Sequence, residues 1–265
     1  MLNWISRQQE ISVAQFDVNL TNVAPSSTGY LSTTAKYVHT ISQECNYLDA
    51  VKLINWDIYL FKGSKVLDLG CGGGWLTAFL SRFDAVKKIY ALDSSKHFLR
   101  VLLPEVVSRM DGDVKKVEVI EALFTPLLFD DKVLDVVVAS SAVHHADNLE
   151  SVLKEVSRVL KSNGYFILLN ETPRGGFRYF ISAILASMRT LKNIALHRYL
   201  PTSPSLSSSG FLYDPRLGDR DYPLWFWIDS LKAAEFAVEE VINTALPTVK
   251  GSSGRPLIHF ICRKI

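Results

Sequence analysis

Two histidines stand side by side in this chain, His144 and His145, just after the strongly apolar run Val133 to Ala139. Imidazole titrates near neutrality, so either one suits general-base work. Neighbouring residues at the start of a loop project in different directions, so one of the pair is expected to face a reacting group. His145 is favoured for that role; the alternative is that both simply bond the loop backbone. Two carboxylates, Asp68 and Asp93, sit in or at the end of β-favouring runs, Lys65-Val66-Leu67-Asp68-Leu69 and Lys87 to Leu92. Asp68 leads into glycines at alternate places, Gly70, Gly72 and Gly74, with Cys71 between them. Glycine lets the backbone turn sharply and lie against something. A strand, a glycine turn and a helix start make a small-molecule cradle at the carboxyl edge of a sheet. His39, His97, His197 and His259 have no comparable setting and are expected to be structural or on the surface.

Spacing narrows the ligand. The dinucleotide fingerprint requires a third glycine where Trp75 stands, so pyrophosphate is disfavoured. The pattern Asp68-x-Gly70-x-Gly72-x-Gly74 instead resembles the first motif of the class I S-adenosylmethionine (SAM) dependent methyltransferases, small-molecule type. Three later stretches resemble that family's motifs in the same order: Ala91-Leu92-Asp93, Leu134 to His145, and Leu153 to Tyr165.

The resemblance implies SAM as cofactor. It places the backbone of Gly70, Cys71 and Gly72 against the methionine part, with Asp68 orienting the turn or acting on the ammonium through a neighbour. Asp93 would hold the ribose, with N-capping of the next helix as its alternative role. Ser94 would border adenine, and a carbonyl of Ala139 or Ser140 would accept from the ammonium. The acid that often follows the third strand is missing. Its place falls at Leu123, followed by Phe124, so adenine is expected to be held there by stacking and backbone contacts, with Glu121 pointing elsewhere. Ser140-Ser141-Ala142-Val143 stands where amide and base amino methylases carry Asn-Pro-Pro-Tyr, which argues against adenine N6 or a glutamine amide as acceptor.

The elements that must position these residues alternate regularly. Strands are expected at Lys65–Leu69, Lys87–Leu92, Lys115–Ile120, Val133–Ala139 and Tyr165–Leu169, with helices at Gly74–Arg82, Ser95–Met110 and Leu149–Leu160 between them. That alternation implies right-handed βαβ units and a parallel sheet covered on both faces. Strands around Phe236–Asn243 and Leu257–Cys262 complete the count. The resemblance supplies the order: an α/β, Rossmann-like, doubly wound seven-stranded sheet, 3-2-1-4-5-7-6, mostly parallel with an antiparallel last strand.

One domain over 1–265 is expected. Residues 1–60 are expected to form an N-terminal helical cap behind an irregular lead-in or lid strand, with helices Thr33–Asn46 and Leu48–Leu60. The cofactor core spans 65–170, a substrate-side insert 173–227, and a C-terminal helix, Ile228–Ala234, with the last two strands fills 228–265. In the insert, Phe177, Phe180, Ile181, Ile184, Leu185, Met188 and Leu191 form an apolar helical stripe. With the aromatics Tyr222, Trp225, Phe226 and Trp227 it offers a roof for an apolar acceptor, and Arg174, Arg178, His197, Arg198 and Tyr213 offer polar contacts. Ordinary core, a dimer contact or a membrane surface are the alternatives for the stripe.

Composition bounds the rest. A 265-residue chain with 48% hydrophobic and 21% charged residues can bury a sizeable core. A net charge of +2 with interspersed signs gives no call for nucleic acid. Cys45, Cys71 and Cys262 lack paired spacing, so no disulfide framework and no metal ligand set is expected, and a cytoplasmic setting fits. No secretory signal is expected at the N-terminus, and no stretch is expected to span a bilayer. The expected partner is a small acceptor molecule, with peripheral membrane contact open and the chain a monomer or homodimer. The function implied is methyl transfer to a small, partly apolar acceptor at O, N or C. The alternatives are a SAM-binding protein with another or a lost activity, and an RNA- or protein-modifying factor that docks through the insert.

Overall fold

The structure is a computed structural model that describes residues 1–6, 9, 33–146, 148–196, 205–206, 211–214 and 218–265. In chain order the elements are β1 (Leu2–Asn3), α1 (Thr34–His39), α2 (Tyr47–Val51), β2 (Ser64–Leu69), α3 (Trp75–Ser81), β3 (Val86–Asp93), α4 (Leu103–Arg109), β4 (Val117–Glu121), β5 (Leu134–Ser140), α5 (Leu149–Val159) and β6 (Leu160–Glu171). They continue as α6 (Gly176–Ala195), β7 (Ser205–Leu206), β8 (Leu212–Asp214), β9 (Asp219–Asp221), α7 (Leu224–Ala233), β10 (Phe236–Pro247) and β11 (Pro256–Lys264).

The main sheet runs β1-β4-β3-β2-β5-β6-β11-β10. Its seven inner members reproduce the expected 3-2-1-4-5-7-6, with β11 antiparallel to both β6 and β10. An eighth strand, β1, adds to the expected seven at the start of the stretch read as an irregular lead-in or lid strand. It pairs parallel to β4, Leu2 opposite Ile120 and Asn3 opposite Glu121. Trp4 extends the pairing by donating to the Glu121 carbonyl at 2.8 Å and sets its ring edge-on to Phe129.

Period-two alternation sends the apolar residues of each strand to both faces, and helices cover both. Leu67, Leu69 and Val137 pack with Val152, Val156, Trp227 and Leu231 of α5 and α7 on one side. Val66, Val136 and Val138 pack with Tyr37, Leu76, Leu80 and Val106 of α1, α3 and α4 on the other. The chain leaves β2 toward β3 and β4 and returns to β5 on its other side, so a switch point opens at the carboxyl ends of β2 and β5. In sheets of this kind ligands bind at that crevice.

The expected helix Leu48–Leu60 is interrupted. Trp56 donates its indole N–H to the Val51 carbonyl at 2.9 Å, α2 stops at Val51, and a 3-10 turn covers Trp56–Ile58. The insert also differs from its sequence reading. Three short strands, β7-β8-β9, form a second sheet, and α7 starts four residues early, at Leu224. Tyr222 and Trp227 are buried in the main core, while Trp225 is exposed. His197 and Arg198 lie outside the described residues.

Candidate functional site

The cradle is built at the end of β2. Gly70, Gly72 and Gly74 all have positive φ, at 74°, 51° and 88°. The N–H groups of Gly70 and Cys71 donate to the Leu92 carbonyl at 2.8 and 2.9 Å, which folds the turn against the end of β3. Space, as well as φ, excludes side chains here. A Cβ at Gly70 would stand 2.6 Å from Cβ of Ala142, and one at Gly73 would stand 2.6 Å from the Tyr37 ring. The alternate-glycine pattern passes over Gly73, yet this residue lets α1 close on the turn.

Asp93 ties the turn to the next element. Its Oδ2 accepts from Gly72 N–H and its Oδ1 from Ser95 N–H, both at 2.9 Å. Asp93 also lines the cavity. Capping and ligand binding are therefore compatible roles for Asp93.

Asp68 sits elsewhere. It is buried behind the turn, where Oδ2 accepts from Thr77 Oγ1 at 2.6 Å, and it does not line the cavity. Of its two expected roles, the geometry provides the first: it orients the turn by pinning β2 to α3. Burial pushes its carboxyl up to about 7, the Thr77 hydrogen bond opposes that rise, and the charge of Asp93 adds to it. Burial also holds the Cys71 thiol well above its ordinary value, aided by the charges of Asp93 and Asp68, so it stays a thiol.

A cavity of about 870 Å³ runs from this turn to the insert. It brings together every other residue expected from the sequence: Gly70, Cys71, Gly72, Asp93, Ser94, Leu123, Phe124, Ser140, His144 and His145. Phe124 also lies against Gly70, at 3.1 Å from where its Cβ would be. Glu121 does point elsewhere, buried with Arg100 at 3.1 Å and Lys96 at 3.6 Å. Ala139 is buried behind Ser140 and does not reach the cavity. Ser140 Oγ accepts from Asn170 Nδ2 at 2.9 Å.

The two histidines lie in a 3-10 turn, Val143–His145, and do not diverge as expected. Their ring centroids are 4.4 Å apart and both line the cavity. His144 Nδ1 bonds Glu171 Oε2 at 2.8 Å, and its Nε2 is 3.7 Å from Asp219 Oδ1. His145 Nδ1 is 3.2 Å from the same Asp219 oxygen without hydrogen-bond geometry. Burial pulls both rings toward the neutral form. At His144 the charges and hydrogen bonds of Glu171 and Asp219 outweigh burial and raise its pKa. At His145 burial and the neighbouring His144 charge prevail and lower it. The pair thus divides into one imidazolium and one neutral imidazole. One donor atom from each of His144, His145 and Asp219 lies within 4.8 Å of the others, a spacing that protons shared with the carboxylates explain as well as a cation would.

Sequence reasoning missed Glu171 and Asp219. Glu171 ends β6, where the chain reads as a strand breaking up, and Asp219 lies in an insert without a motif. It missed Tyr37, Ile41 and Tyr47 from the N-terminal helices and Arg220 from the insert sheet as well, whereas Tyr213, expected to offer a polar contact, does line the cavity. Arg220 donates to the His145 carbonyl at 2.9 Å and fixes the hairpin over the histidine turn. His259, expected to be structural, is buried and accepts the Asn170 N–H at 3.0 Å.

Comparison with known proteins agrees with this geometry. Residues 67–168 match the family described as a methyltransferase domain. The chain is 29% identical over 134 residues to a ubiquinone biosynthesis O-methyltransferase of Pelagibacter ubique, covering 49% of this chain and 51% of that one. It is 28% identical over 160 residues to a ubiquinone/menaquinone biosynthesis C-methyltransferase of Campylobacter jejuni, covering 55% and 65%. The chain thus spans about half the length of the curated relatives it matches. The fold of YcgJ from Bacillus subtilis superposes with a TM-score of 0.56 at 16% identity, over 82% of this chain and 98% of that one.

The family's cofactor is SAM, and the residues present fit it. The bare backbone at Gly72, with nothing nearer its absent Cβ than Tyr37 Oη at 3.9 Å, leaves room for the methionine part. Asp93 offers acceptors to ribose hydroxyls, and Leu123 with Phe124 gives an apolar slot for a base. Turn, switch point and sequence match converge on one stretch: residues 67–168 match a methyltransferase domain.

Proposed function

We propose that this chain transfers a methyl group from SAM to a small, partly apolar acceptor that enters beside His145, by in-line displacement. The observation that carries the reading is the continuity of one cavity from Gly70 and Asp93 to His145, Asp219 and Arg220. When bound, the cofactor supplies an activated methyl group on a sulfonium. The chain's own part is to align and to exclude. The glycine turn and Asp93 hold one end of the site, Leu123 and Phe124 the base, and Ser140 stands at the carboxyl end of β5 between them and the histidines. Holding an acceptor in line and away from water removes much of the barrier.

A hydroxyl acceptor must also lose a proton. His145 takes it: the ring is kept neutral by burial and by the cation at His144, and Asp219 stands ready to stabilise the imidazolium that forms. Nitrogen or carbon acceptors that are already nucleophilic need no base. The O- and C-methyltransferase relatives support an acceptor on the way to a quinone, and the mixed lining of Tyr213, Phe124, Arg220 and His145 suits such a molecule.

The test is turnover of labelled SAM against a panel of phenols, quinols and amines. One phenol or quinol is expected to accept label, and His145→Ala to slow that transfer roughly 10²- to 10⁴-fold with SAM affinity unchanged. An unchanged rate at every pH would remove the base, and no transfer to any acceptor would remove the reading.

A further inference from the structure

The helix α6 is inside out. Its sequence, GFRYFISAILASMRTLKNIA, sets Phe177, Phe180, Ile184, Leu185, Met188 and Leu191 on one stripe at 3.6 residues per turn. A surface helix of a folded domain turns such a stripe to the core. Here these six side chains are 44–76% exposed, while the opposite side, small and polar, faces the protein: Ala186 is buried and Ser182 accepts from Arg174 at 3.0 Å. A run of six large apolar side chains exposed on one stripe marks an interaction site.

The charges on the helix choose among occupants. It carries Arg178, Arg189 and Lys192 and no acidic residue. Arg189 and Lys192 are exposed and fall along one border of the stripe, where long basic side chains reach headgroups while their stems cover apolar surface. Two copies of this chain meeting through the stripe would bring like charges together with no acid on the helix to offset them. A bilayer with anionic headgroups supplies both the apolar interior and the opposite charge. Among the described residues no helix is long and apolar enough to cross a membrane, so the contact is one of lying on the surface.

We propose that α6 docks this chain on an anionic lipid bilayer, lying in the interfacial plane with its apolar stripe among the acyl chains. The helix is tied to the cavity wall: Arg174 joins Asp221 of β9 at 2.8 Å, and β9 supplies Asp219 and Arg220 to the cavity. Docking therefore holds the cavity beside the bilayer and, resting on the methyl-transfer reading, selects acceptors dissolved in lipid.

The experiment is co-sedimentation of the full chain with vesicles of phosphatidylglycerol and phosphatidylcholine mixed, or of phosphatidylcholine alone. Binding is expected to be at least tenfold tighter to the anionic vesicles and to weaken with salt. Phe180→Asp with Ile184→Asp should abolish it, and Arg189→Glu with Lys192→Glu should weaken it more than about twentyfold, a factor of about five per basic residue. Titration of SAM reports that the variants remain folded and separates this proposal from the cofactor site. Absence of binding to anionic vesicles would overturn the proposal. So would a dimer in solution that Ile184→Asp converts to a monomer, because the stripe would then belong to a second copy.

Discussion

Glu171 shows how one carboxylate sets the chemistry of two neighbours. Its bond to His144 Nδ1 supports the charge on that ring, and burial first, with that charge 4.4 Å away between ring centroids second, keeps His145 neutral. With His145 as the proposed base for a hydroxyl acceptor, the acidic limb of the rate profile is expected to report His145 and, in the native chain, to fall below the ordinary histidine value. Glu171→Gln removes part of the support for the His144 charge, so repulsion on His145 relaxes, its pKa rises, and the acidic limb moves to higher pH. A pH profile of kcat/KM checks this; a lower rate with an unmoved limb would mean that Glu171 only shapes the turn. At this scale the sequence made the donors of the cradle legible, because glycine and acid at fixed spacing have one common use. It left Glu171 and Asp219 unread, because a carboxylate acquires meaning there only when folding brings it to an imidazole.

The element that positions the cradle is the junction of β2 and α3, held by Asp68 and Thr77. Asp68 has a folded pKa of about 7 against an ordinary carboxylate value of 3.8, raised first by burial. A group raised in the folded state contributes stability below its unfolded pKa and loses it as pH rises through the folded one. Asp68→Asn does not titrate, so the native chain is expected to be destabilised relative to this variant as pH climbs from about 5 to 8. Urea midpoints across that range provide the measurement, and a constant difference between the two chains would show that Asp68 is ionised throughout. The strands β2 to β6 were readable because buried parallel strands are near-continuous apolar runs with helices between them. The insert was not. Its hairpin β8–β9 is held by Arg220 on the His145 carbonyl and by Arg174 and Arg255 on Asp221, and such long-range polar contacts leave no local period. The apolar stripe on α6 has the period of a core helix, so the sequence could give its face but not its outward direction.

Across the whole molecule, the sheet order brings the ends of β2, β3, β5 and β6 to one edge. The insert closes over that edge from one side and α1 from the other. The family's motifs made this order legible over residues 65–170. The rest of the cavity wall comes from segments far apart in sequence, Thr172, Asp219 and Thr248 among them, and is visible only in three dimensions. The central claim is that the turn from Gly70 to Gly73, locked by Asp93, is a SAM site. Calorimetric titration of SAM into the native chain and into Asp93→Ala tests it most directly. One site of roughly micromolar affinity is expected in the native chain. A loss of about ten- to a hundredfold or more is expected in the variant, in which Gly72 and Ser95 N–H lose their charged acceptor. Equal affinity in the two chains, or no binding by the native one, would contradict it.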